Sequence, residues 1–186
     1  LPILLTEFES GQLFATLGLR TAHAQHLPID KLSHTVPYPV VVKISSRDIP
    51  HKTEVGGVEV GIRDAQELES SVKKIIHNVA QRAPEAKADG VLVQAMESRL
   101  LELILGYRND PLVGPTVLLG AGGITAEISP DFALRVAPVS IAQAHEMIKK
   151  VRITQLVRGF RGLPQADCEV LAETIANFSK LACVQE

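Results

Sequence analysis

Three groups of side chains in this chain have the types and spacing to do chemistry. The first is Lys43, the cation that ends the apolar run Pro39-Val40-Val41-Val42-Lys43-Ile44. Burying an ammonium in such a run is costly unless it meets an anion, and a nucleotide phosphate is one anion that would meet it. The second is His51, in the polar loop from Ser45 to Gly57 that follows (SSRDIPHKTEVGG). The loop has the ingredients of a mobile catalytic segment: an imidazole, flanking charges, and Gly56-Gly57 to free the backbone. The third is a carboxylate pair four residues apart, Glu127 and Asp131. Two such carboxylates can hold Mg²⁺ and share it with phosphates. On local chemistry alone each group also has a plain reading: a snorkelling lysine, a surface loop and two solvated acids.

The familiar alternatives are missing. There is no G-x-x-x-x-G-K-[ST] loop and no G-x-G-x-x-G; Gly120 to Gly123 is only G-x-G-G. His145-Glu146 lacks the second histidine of a zincin, and no G-x-S-x-G occurs. His23, His26 and His34 lie close in sequence, without a cysteine or acid at matching spacing to complete a metal site.

The elements that would position these groups can be read from periodicity. Thr6 and Glu9 have capping-box spacing and open a helix to about Leu17. Residues 19–38 read as a connector. The run after it reads as a strand buried on both faces, with Val58 to Ile62 as its hairpin partner. Asp64 and Glu67 cap a helix whose stripe is Leu68, Val72, Ile75, Ile76 and Val79, ended by Pro84. Gly90 to Met96 is a further strand, and Leu100 to Tyr107 is expected to return antiparallel to it through Glu97-Ser98-Arg99. Strands follow at Thr116–Leu119, Ile124–Ile128 and Phe132–Val136. Ser140 caps a helix to about Lys150, and Asp167 starts a last one carrying Leu171, Ile175, Phe178 and Leu181. This order implies an α+β (mixed α/β) chain with antiparallel strands and flanking helices.

The bulk composition fits. The chain has 186 residues, 46% hydrophobic and 22% charged, with a net charge of −2. That is one large domain or two lobes, with no global reason to expect nucleic acid or an anionic membrane as partner. No leader or apolar run of about eighteen residues is visible, so a cytoplasmic location is expected. Cys168 and Cys183 make no disulfide framework. The chain opens at Leu1 without methionine, which is expected of a piece of something longer.

Six blocks in order carry a resemblance: PYPVVVKI, DIPHKTEVGGVEVGI, GVLVQAM, LELILGYRNDPLVGP, LLGAGGITAEISPDFALRVAP and LVRGFRGLPQAD. Together they resemble the ATP-grasp domain of the ADP-forming acyl-CoA synthetases, the family of ADP-forming acetate–CoA ligase and a distant relative of succinyl-CoA synthetase. The opening TEFESGQLFATLGL is similar to that family's first helix. The resemblance implies an ATP-grasp fold over residues 1–186, with one lobe over about 1–95 and a second over about 96–186. It implies a reversible relay in which acyl-CoA, ADP and phosphate give acid, CoA and ATP through a phosphohistidine. His51 matches the loop histidine of that relay. Lys43 would sit on the nucleotide phosphates, main chain around Gln94 to Met96 with Glu97 would border adenine, and Glu102 would be a nucleotide-site carboxylate. Glu127 and Asp131 would hold Mg²⁺, and Arg135 would meet charge on the phosphoryl oxygens.

The implied ligands are ATP or ADP with Mg²⁺. The implied partner is a CoA-binding subunit or fused domain that brings the acyl-CoA or carboxylic acid; oligomerisation is open. The alternative is a regulatory, non-catalytic synthetase-like region, such as those fused to acetyltransferases. Departures from the family pattern are Gly11 in place of a lysine, a connector about a dozen residues shorter, and Pro37-Tyr38 where a glycine is usual. The Arg158–Gly162 loop matches a family block without an assignable role.

Overall fold

The structure, a computed structural model, describes residues 4–98, 100–123, 131–156 and 165–184. The chain divides into two compact units, and the boundary falls inside the first helix. The first unit comprises residues 1–13 and 21–97; the second comprises 14–20 and 98–186. Among the described residues no helix is long and apolar enough to cross a membrane.

The first helix, α1, spans Glu7–Thr16. Its capping box is complete: the Thr6 N–H donates to Glu9 Oε2 at 2.8 Å, and the Glu9 N–H donates to Thr6 Oγ1 at 3.3 Å. The Thr6 N–H and the Thr6 hydroxyl, which also donates to Glu9 Oε2 at 3.0 Å, hold the Glu9 carboxyl below its usual range, with a smaller share from the Arg47 guanidinium.

The sheet of the first unit has four antiparallel strands: β1 (Ala24–Leu27), β2 (Val40–Ser45), β3 (Val58–Ile62) and β4 (Gly90–Ala95), in the order β1-β4-β2-β3. Helix α2 (Ala65–Arg82) lies on one face, with Leu68, Val72, Ile75 and Val79 buried against Val40, Val42, Ile44, Val91 and Val93. Each fully buried aliphatic side chain contributes about 1.5–3 kcal/mol, so this face, more than the caps, holds the unit together. Asp64 caps α2 by accepting from the Glu67 N–H at 2.8 Å, and Glu67 reaches back to the Arg63 N–H.

Two expectations change here. The connector hides strand β1, four residues too short and too mixed (AQHL) to show a period. And β2 is buried unevenly: Val40, Val42 and Ile44 are inaccessible on one face, whereas on the other Val41 and Lys43 are partly exposed and Ser45 is buried. Strand β2 alternates because α2 packs on the side that Val40, Val42 and Ile44 face.

The second unit has a three-stranded antiparallel sheet, β5 (Leu103–Asp110), β6 (Gly114–Ala121) and β7 (Phe132–Val136), in that order. Strand β5 pairs with β6, in register from Leu103 opposite Ala121 to Asp110 opposite Gly114, and not with β4 as the sequence suggested. The polar stretch after β4 is a crossing between sheets, which local patterning does not distinguish from a hairpin turn. Helices α3 (Ile141–Lys150) and α4 (Cys168–Ser179) cover one face. Their Ala144, Met147, Ile148, Ala172, Ile175 and Phe178 pack on Val117, Leu119 and Ala133. Phe14, at the end of α1, meets Phe178 with ring centroids 5.6 Å apart. Strand β7 alternates, but with Ala133 inward and Phe132, Leu134 and Val136 exposed. The expected strand Ile124–Ile128 lies outside the described residues.

Candidate functional site

Lys43 lies on the sheet face away from α2, opposite Leu92 on β4 and Val58 on β3. Gln94, two residues along β4, shares that face and accepts from Lys43 Nζ at 2.9 Å. The anion that this mostly buried ammonium requires comes from the chain itself: Glu7, in the first turn of α1, places Oε1 2.5 Å from Lys43 Nζ. Lys52 approaches the other oxygen of Glu7 at 3.9 Å. Both lysine side chains are only about one-fifth accessible (20% and 18%).

The loop after β2 closes over this group. Its hydrogen bonds run from the Glu54 N–H to the His51 carbonyl, from Gly56 to Thr53, and from Gly57 to Lys52 at 2.7 Å. Asn78 and Arg82 of α2 donate to the Gly56 and Glu54 carbonyls. The paired glycines therefore have a packing role that the sequence did not disclose. Gly56 adopts φ +66°, and a Cβ on Gly57 would lie 2.7 Å from Ile44 Cγ2. His51 stands at the exposed end of this tethered turn. A cavity of about 370 Å³ results, lined by Glu7, Lys43, Pro50, His51, Lys52, Thr53, Glu54 and Val58. Two mostly buried cations and an accessible imidazole at one cavity can bind a phosphoryl group and offer it a nucleophile. Of the residues singled out in the sequence, the cavity joins Lys43 and His51; Lys52 and Glu7 were missed. The capping role of Thr6 and Glu9 drew attention away from Glu7, which shows no periodicity of its own.

At the end of β4 the Met96 N–H donates to the Pro39 carbonyl at 3.2 Å, and the side chains of Met96 and Glu97 are exposed.

In the second unit, Glu102 is exposed just before β5 and sits against the Gly120–Gly123 bend. The Gly122 N–H donates to its carbonyl at 2.9 Å, and a Cβ on Gly123 (φ +63°) would lie 2.6 Å from Glu102 Oε2. Asp131 accepts from the Arg152 and Ile153 N–H groups at 3.0 and 2.9 Å, capping the short 3₁₀ turn Arg152–Gln155. Burial pushes its carboxyl up, but these two N–H groups and the Arg152 guanidinium outweigh it and hold the group below its usual range. An ionised carboxylate has about four lone-pair sites, so two remain after these bonds, and hard oxygens are the donors Mg²⁺ takes. Asp131 thus fits a magnesium ligand; Glu127 lies outside the described residues, as does the Arg158–Gly162 loop. Among the described residues no cluster of three or more His, Cys, Asp or Glu could hold a metal. Arg135 faces the helix-covered side of β7, opposite Val117, and is a minor contributor to the lowered Glu146 carboxyl, after Lys149 and Lys150.

A family model described as an ATP-grasp domain matches residues 3–186. The ADP-forming acetate–CoA ligase I of Archaeoglobus fulgidus is 38% identical over 151 residues, covering 81% of this chain and 22% of that protein. The β subunit of the ADP-forming acetate–CoA ligase I of Pyrococcus furiosus is 37% identical over 152 residues, 82% of this chain and 66% of the subunit. The chain therefore spans from about a fifth to about two thirds of these relatives. The dinucleotide-forming acetyl-coenzyme A synthetase 1 of Ca. Korarchaeum cryptofilum, solved with coenzyme A, Ca-AMPCP and HgCl+, superposes with a TM-score of 0.89 at 34% identity, over 96% of this chain and 80% of that one. A second structure of that protein, with coenzyme A and Mg-AMPPCP and its phosphohistidine segment pointing towards the nucleotide binding site, gives 0.82 at 32%, over 98% and 80%.

Proposed function

The chain belongs to the ATP-grasp domain family, and from that premise we propose that it is the nucleotide-binding, phosphoryl-transferring part of an ADP-forming acyl-CoA synthetase. The observation that carries the reading is the cavity at which Lys43, Lys52 and His51 meet. In the direction of ATP use, the lysine ammoniums hold phosphoryl oxygens and offset their charge. An imidazole nitrogen of His51 attacks the terminal phosphorus, the bond to the bridging oxygen breaks, and ADP leaves with that electron pair. The phosphoryl group then passes to a CoA-binding partner, where it activates the carboxylic acid for thioester formation; the reverse sequence makes ATP. Gln94 fixes the Lys43 side chain, and by the family pattern Met96 and Glu97 would border the base and Glu102 would serve as a nucleotide-site carboxylate. Mg²⁺, held by Asp131 and Glu127, would screen the phosphate charges.

The nucleotide analogues in the Korarchaeum structures and the phosphohistidine segment there support this assignment for their own protein, and the separate β subunit in Pyrococcus furiosus supports a partner for this chain. The test combines this chain with the CoA-binding part of an ADP-forming acetate–CoA ligase. ATP-dependent release of ADP on adding acid and CoA is expected, and its loss in His51→Ala with nucleotide binding retained. Unchanged turnover in His51→Ala would reject the relay.

A further inference from the structure

The phosphate-binding reading leaves Glu7 unexplained. Its carboxylate occupies the place where an oxyanion would be held, with Lys43 Nζ 2.5 Å from one oxygen and Lys52 Nζ 3.9 Å from the other. To an ammonium a carboxylate and a phosphoryl group look alike, since both present oxygens sharing negative charge. Two lysines and two carboxylates, Glu7 and Glu54, line the cavity, so its formal charges already balance. A phosphoryl dianion entering beside Glu7 would put at least three negative charges against the two ammoniums. Glu7 is also more exposed than the cations it bridges: its side chain is 37% exposed, against 20% and 18% for the lysines. Its place in the first turn of α1 is favourable for an anion in any rotamer.

We propose that Lys43 and Lys52 form a two-cation phosphoryl cradle, and that the Glu7 carboxylate is its resident occupant, exchanged for the ligand's oxyanion when the ligand binds. Lys52 is then a second phosphate-binding residue, and Glu7 sets the affinity of the site by competition. The inference rests on Lys43 being the phosphate lysine. Any ligand with a terminal phosphoryl group has the chemistry to enter, whether inorganic phosphate or a nucleotide.

The test is calorimetric titration of the native chain, Glu7→Gln and Lys52→Met with inorganic phosphate and, separately, with Mg-ATP. Removing the internal competitor is expected to tighten phosphate binding about fivefold in Glu7→Gln, the scale of one partly exposed ion pair. Lys52→Met is expected to weaken it by a similar factor. Glu7→Asp, a methylene shorter and unable to bridge both lysines, should shift in the same direction as Glu7→Gln and covers the case in which the amide variant fails to fold. Folded Glu7 variants that bind phosphate no more tightly than the native chain overturn the inference. If Mg-ATP binds with an affinity indifferent to Glu7, the cradle fails while the nucleotide reading stands. If phosphate affinity shifts as expected but no form binds Mg-ATP, the cradle stands and the nucleotide reading fails.

Discussion

Asp131 offers the most informative perturbation, because one side chain has a structural duty and a proposed catalytic one. Its two oxygens accept from the Arg152 and Ile153 N–H groups at 3.0 and 2.9 Å, and the side chain is only 13% accessible. In Asp131→Asn the amide carbonyl keeps one acceptor, but the NH₂ faces the other N–H donor to donor. One charge-assisted bond is lost, about 1.5–3 kcal/mol, and the other falls to neutral strength, roughly a further 1 kcal/mol. The exposed Arg152 guanidinium, 3.7 Å away, adds little. A loss of about 2–4 kcal/mol is therefore expected without any metal present, read by urea denaturation with far-UV circular dichroism and, locally, by faster amide exchange at Ile153. The folded carboxyl lies below its ordinary value. Its stabilisation is thus complete above the unfolded pKa of about 3.9 and disappears as pH falls through the lower folded value. The gap between the native chain and the variant should close below about pH 4. A loss under about 0.5 kcal/mol at pH 7, or a gap that does not change on acidification, would refute this account of the turn.

Other perturbations separate packing from chemistry. Gly57→Ala would drive a methyl to 2.7 Å from Ile44 Cγ2 and 3.0 Å from the Lys52 carbonyl, so a destabilisation of about 1–3 kcal/mol is expected in the same denaturation assay. A neutral result would return the glycine pair to a purely flexible role. Gly123→Ala adds left-handed strain of about 1–2 kcal/mol and a methyl 2.6 Å from Glu102 Oε2; nucleotide affinity should fall as that carboxylate moves, and unchanged affinity would remove Glu102 from the site. His51→Ala, at an exposed position, should alter stability by less than about 0.5 kcal/mol, and a larger change in melting would mean that the imidazole is part of the fold.

Much of the framework was readable because its signals are local. The α2 stripe and the caps at Thr6, Asp64, Ser140 and Asp167 all depend on residues within a few positions of one another. Strand β1 escaped because four mixed residues carry no period, and the partner of β5 escaped because turn residues flank that strand on both sides and local patterning does not say which turn closes a hairpin. For the candidate site the same division holds. A lysine in a valine run announces its need for an anion, but that the anion is Glu7, thirty-six positions earlier, follows only from how α1 lies on the sheet. Lys52 was hidden beside the more conspicuous His51. Gly57 looked like a hinge and Gly122 like part of a failed nucleotide motif, whereas Ile44 and the Glu102 main chain approach too closely for an added side chain to fit without a shift.

The central claim is that His51 becomes phosphorylated from nucleotide. Incubation with Mg-[γ-³²P]ATP and a CoA-binding partner, followed by peptide mapping under alkaline conditions that preserve phosphohistidine, tests it directly. The account predicts acid-labile label on the peptide containing His51, discharged by ADP and absent from His51→Ala. Label that is acid-stable, lies elsewhere in the chain, or survives in His51→Ala would contradict it.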